Sequence, residues 1–143
     1  MFGILLAIIS GLSMTIQGVF NTQLGEKIGI WETNVIVSTS ACLITVILSF
    51  FFRDGDYSMI KDSNKLYLLG GVLSIVITFT VMKSISLMGP SYGIGIILIA
   101  QIFSAAVIEA LGLFGSDKVK FSLNEFIGIA IMILGIVIFK WKH

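Results

Sequence analysis

Five long apolar runs, each almost free of charge, leave this chain few ways to fold. They cover 2–23, 33–52, 66–88, 91–114 and 123–139. Each is near the roughly 20 residues that an α-helix needs to cross a hydrocarbon core about 30 Å thick. Across 143 residues, 57% are hydrophobic and only 12% charged. A soluble domain of that length cannot hide so much apolar surface, so lipid has to be the solvent. The expectation is an all-α polytopic membrane protein: one membrane domain of five transmembrane helices joined by short connections.

The connections carry the chemistry that this reading needs. Gly25-Glu-Lys-Ile-Gly29 closes the first span, with Trp31 at the interface and Glu32 near the positive pole of the second helix. Arg53 to Lys65 is the longest polar segment. Gly89-Pro90 breaks spans three and four, because proline cannot continue the preceding helix. Ser122-Leu-Asn-Glu125 reads as a capping box, which gives Glu125 a structural task. The first run has no basic residues before it and is interrupted by Gln17 and Asn21, so it is expected to stay as a span rather than serve as a signal peptide. Cys42, mid-span and without a partner cysteine, reads as a small apolar filler.

Charge gives little sense of direction. With five spans, one face receives Arg53, Lys61, Lys65, Lys118 and Lys120, and the other Lys27, Lys83, Lys140 and Lys142. That is almost no positive-inside bias. Either the chain inserts one way with a weak signal, or it inserts both ways and assembles as an antiparallel pair.

Polar residues within the spans are the candidates for function. Ser10, Ser13, Gln17 and Asn21 follow steps of three and four, which aligns them on one helical face. Two carboxamides one turn apart should face the interior, lining either a substrate cavity or a packed seam. Gly11 and Gly18 lie on a neighbouring face, where backbones can come close. Gln101 lies near the middle of the fourth run, and Glu109 about 12 Å further along. Glu109 is either an interfacial carboxyl or a protonatable, cation-binding group facing an aqueous cavity. Lys83 is the one basic group inside a run and has a stem long enough to snorkel. By depth, Gln17, Asn21 and Lys83 belong near one face and Glu109 near the other; an inverted partner brings its Glu109 toward the depth of Asn21 and Lys83. Gly128 and Gly135 share a face of the fifth run, suited to intramolecular packing or to dimerisation.

Gln17-Gly-Val-Phe-Asn21-Thr-Gln-Leu-Gly25 resembles the first-helix signature of the YdcZ-like family of small five-span proteins. Gly89, Gln101 and Glu109-Ala-Leu-Gly112-Leu-Phe-Gly115 resemble its fourth helix, and Ile127 to Ile138 is similar to the last helix of the wider drug/metabolite transporter superfamily. The resemblance implies one half of an inverted-repeat transporter in a bacterial inner membrane, completed by a second copy or a paralogue. The chain departs from the family in having Glu109-Ala110 where Asp-His is usual, and Lys83 has no family counterpart. It also lacks the first-helix glutamate of the related small multidrug exporters, so their proton-coupled mechanism does not carry over.

The favoured function is a secondary transporter of a small organic solute, working by alternating access as an antiparallel homodimer or heterodimer. Gln17, Asn21, Gln101 and Glu109 are the substrate-binding candidates, with Glu109 the coupling candidate. The carboxamides suit a neutral or zwitterionic solute better than a strongly cationic one. The alternative is a non-transporting structural or regulatory membrane subunit. An enzyme is disfavoured: the only histidine is His143, and no cluster resembles a metal site or an activated nucleophile. No phosphate-binding loop, cofactor site or nucleic-acid-binding basic cluster is expected.

Overall fold

A computed structural model describes residues 1–120 and 122–141. Lys142 and His143, both weighed above, lie outside the described residues. Among the described residues every regular element is a helix, with no strand. Helices α1 (Phe2–Ile28), α2 (Ile30–Phe51), α3 (Gly70–Met88), α4 (Pro90–Leu111) and α5 (Leu123–Lys140) match the five expected spans. Each is long and apolar enough to cross a membrane, the third when the 3₁₀ turn Lys65–Leu69 is included. Large apolar side chains such as Phe20, Ile77 and Ile131 point outward, as a chain dissolved in lipid requires.

The ends differ from the hydropathy runs for local reasons. α1 continues five residues beyond Gln23, because Glu26 and Lys27 are good helix formers and the stop comes only at Gly29. Gly29 has φ +104°, which a side chain would strain, and it serves as the last cap of α1 and the first of α2. One residue therefore makes the whole turn. The Glu32 carboxylate fills the space where a Gly29 Cβ would stand. α4 stops at Leu111 rather than near Phe114, because Gly112 adopts the left-handed conformation that ends helices. At α5 the capping box forms: Ser122 N–H donates to Glu125 Oε2 at 2.7 Å.

The chain divides into two units, Met1–Ser86 and Leu87 onward. In the first, α1 and α2 form a tight hairpin and α3 packs on it. The contacts are specific. Ile85 and Val81 reach the open backbone of Gly18, Met82 lies beside Gly25, and Phe79 stacks on Trp31 with ring centroids 5.1 Å apart. Trp31 thus packs on a neighbouring helix, in addition to its expected place near a span end. In the second unit α4 and α5 form another hairpin, in which Ile136 covers the bare backbone of Gly95. A Cβ on Gly128 or Gly135 would meet nothing within 4 Å, so neither glycine is needed for a close contact within this hairpin.

Candidate functional site

The buried centre of the first unit is mostly polar. Asn21, Thr22, Thr33 and Asn34 are buried beside Met82 and Ile85. Polar groups in a membrane protein need internal partners, and most of these have them. Thr22 Oγ1 donates to Gly18 O at 2.8 Å, and Thr33 Oγ1 to Gly29 O at 2.9 Å. Asn34 Nδ2 donates across to Ile75 O of α3 at 3.2 Å, while Ser38 Oγ donates to Asn34 Oδ1 at 3.3 Å. Asn34 therefore ties α2 to α3. Its carboxamide sits within an apolar run of the sequence, and that was the available signal for it.

Asn21 behaves differently. It is 9% exposed, yet its carboxamide has no hydrogen-bond partner among the described residues. No sealed side-chain polar atom in the described residues lacks a partner, so the Asn21 amide must keep an opening to its surroundings. A group that can both donate and accept, held in a buried seam and still reachable, is what a neutral hydrogen-bonding ligand needs. Gln17, one turn earlier on the same face, is exposed, as are Gln101 and Glu109. None of these three side chains has a partner among the described residues.

In the second unit, Glu109 opens into a groove of about 330 Å³ between α4 and α5. Ile102, Ala105 and Ala106 line one side, with Gly128, Ile129 and Met132 opposite. Glu125 lines it too. The carboxylate set aside as a cap therefore shares a groove with the leading functional candidate, on the same helix face as Gly128. Gln101 does not line this groove.

Glu109 is also an anchor for the chain that follows. Its carbonyl oxygen accepts from Gly112 N–H at 3.2 Å and from Val119 N–H at 3.0 Å, drawing the connection back over the helix end. Its carboxylate thus stands in the last turn of α4, at the negative pole of the helix, where a cation is favoured and an anion is not. No cation pairs with it: the ion pair among the described residues is the exposed Arg53–Asp56 contact at 4.0 Å. The described residues contain no cluster of three or more metal-ligating groups.

Outside the spans, Asp56 caps the 3₁₀ turn Tyr57–Asp62. Ser58 donates to Asp56 from its backbone N–H at 2.9 Å and from its hydroxyl at 2.7 Å. These bonds, the backbone one first, hold the Asp56 carboxyl below its ordinary value of 3.8.

Comparison with known proteins gives one match over almost the whole chain. Residues 2–138 match the model of a family described as "Putative inner membrane exporter, YdcZ". No curated protein and no solved structure matches the chain.

Proposed function

This chain belongs to the YdcZ family, described as inner membrane exporters, and is a multi-pass protein of that membrane; we propose that it is a secondary transporter of a small organic solute, working by alternating access as an antiparallel dimer. Asn21 is the observation that carries the substrate reading. Its carboxamide is buried, unpartnered among the described residues and still open. Such a group is costly beside lipid and useful beside a solute. Gln17 and Gln101 add neutral hydrogen-bonding capacity, which favours a neutral or zwitterionic solute.

Glu109 is the coupling residue of this proposal. It has no cation partner among the described residues and stands at the negative pole of α4, so a proton or a substrate cation is the natural counter-charge. Half-size transporters complete an inverted-repeat cavity with a second subunit, which is the reason for the dimer.

The test is flux in liposomes reconstituted with the purified chain, across a panel of neutral, zwitterionic and cationic solutes and with imposed pH gradients. Wild-type protein should move a solute faster than empty vesicles, and the rate should follow the gradient. Glu109→Gln should remove the gradient dependence of the flux. Undiminished gradient-driven flux in Glu109→Gln would end the coupling role. Absence of flux, with no solute stabilising the purified chain, would favour a structural or regulatory subunit.

A further inference from the structure

We infer that the groove between α4 and α5 seats α3 of a second, inverted copy of this chain, with Lys83 of the partner subunit set against Glu109 and Glu125. The inference rests on the dimeric transporter reading and adds a residue, in trans, to its coupling site.

Charge complementarity is the first argument. The groove carries two carboxylates and no basic side chain. Neither carboxylate has an ion-pair partner among the described residues. Acyl chains cannot cover such a surface without leaving charge in hydrocarbon. Lys83 presents the converse problem. It is exposed, lies within the membrane-spanning length of α3, and has no partner among the described residues.

The face of α3 is the second. Phe79, Met82 and Ile85 are occupied by contacts within the first unit. Val76, Thr80, Lys83 and Leu87 follow steps of four, three and four on another face, and all four are exposed. That unpartnered stripe is apolar apart from Thr80 and one cation. The groove is apolar apart from two anions, and Ala105, Ala106 and Gly128 give it a shallow floor that another helix can approach closely.

Depth decides the orientation. Lys83 lies five residues before the end of α3 at Met88, and Glu109 two residues before the end of α4 at Leu111. Glu125 lies two residues into α5. At 1.5 Å per residue these are about 7.5 Å and about 3 Å from the respective helix ends. Successive spans end on opposite membrane faces, so the ends of α3 and α4 belong to different faces, and inversion of the second copy brings them to the same one. The difference of about 4.5 Å is within reach of a lysine's four-carbon stem. Each copy offers one groove and one Lys83 stripe, so a two-fold pair has two equivalent contacts of this kind to make.

The test uses the full chain in native membranes, in a Cys42→Ser background, with two differently tagged copies co-expressed. One copy carries Lys83→Cys and the other Glu109→Cys. The expected result is a cross-linked product bearing both tags, and no product when Glu109→Cys is paired with itself. A product of Glu109→Cys with itself, cross-links confined to one chain, or no doubly tagged product would each overturn the inference. Charge reversal gives an independent reading by sedimentation in detergent. Lys83→Glu should raise the monomer fraction about tenfold, Lys83→Arg should not, and Lys83→Glu with Glu109→Lys should restore the dimer. A Lys83→Glu protein as dimeric as wild type would also overturn it. Flux of the unsubstituted chain separates the two claims: wild-type vesicles that transport while the cysteine pair gives no doubly tagged product end this inference alone, and wild-type vesicles that move no solute while the cysteine pair cross-links end the transporter reading alone.

Discussion

The two units carry polar groups through apolar helices in opposite ways. In Met1–Ser86 four polar side chains, Asn21, Thr22, Thr33 and Asn34, are buried, and three of them bond to backbone: Thr22 and Thr33 to their own helices, and Asn34 across to α3. From Leu87 onward the polar groups turn outward: Gln101 and Glu109 are exposed, and the α4–α5 groove holds two carboxylates without a cation among its lining residues. The difference lies in the small residues as well. Gly18 and Gly25 are covered by α3 side chains, whereas Gly128 and Gly135 stand bare. A membrane protein gains little from burying apolar surface within itself, because lipid is as good a solvent for it. What orders a unit is then close packing and internal hydrogen bonding. The first unit has both along the seam of α1, α2 and α3, whereas the α4–α5 groove of the second is unfilled.

The sharpest way to break this contrast is to add volume at matched glycines. Gly18→Leu would drive a side chain into Ile85 and Val81 and should cost about 1–3 kcal/mol. Gly128→Ala meets nothing within 4 Å and removes a poor helix former, so its stability should not fall and should rise by up to about 1 kcal/mol. Unfolding in mixed micelles measures both, and equal losses would remove the distinction between a packed and an open unit.

A finer cut compares the two asparagines within the first unit. Asn34→Leu removes a bond between helices and should cost about 0.6 kcal/mol, the average for interhelical bonds in a membrane protein. Asn21→Ala removes no bond to a described residue, so its stability should hold while the half-saturating solute concentration rises about tenfold, the loss of one buried hydrogen bond. An Asn21→Ala chain that is destabilised while its flux is unchanged would make Asn21 a packing residue.

The smallest expected effect is outside the membrane. Because the folded Asp56 carboxyl titrates below 3.8, its contribution to the 53–62 turn is present above that pH and is lost as pH falls through the lowered value. Ser58→Ala removes the hydroxyl bond and keeps the backbone one. The Asp56 midpoint, followed by carboxyl carbon resonance, should move part of the way up. A complete return to 3.8 would mean that the backbone bond contributes nothing.

Hydropathy made the five spans legible because a run of about 20 uncharged apolar residues has no other stable place in water or lipid. The capping box at Ser122 and Glu125 was equally plain, since its geometry is local. The helix ends at Gly29 and Gly112 were less so. Both stops depend on which glycine takes a positive φ, and the segment Gly25 to Gly29 offers two. Among the candidate residues, the spacing of Gln17 and Asn21 gave them one face, but spacing cannot say which of them is covered. Asn34 escaped notice for the same reason: its partner, the Ile75 carbonyl, is 41 residues away.

What the sequence alone determined is the membrane class, the number of spans and the residue types costly enough in lipid to need an explanation. Those follow from transfer free energies, which add along the chain. The tertiary structure decided which polar groups have partners. It closed Asn34 against α3, left Asn21 open, and set Glu125 beside Glu109 in one groove. Hydrogen bonds and grooves depend on distances between helices, and no pattern along one helix carries that information.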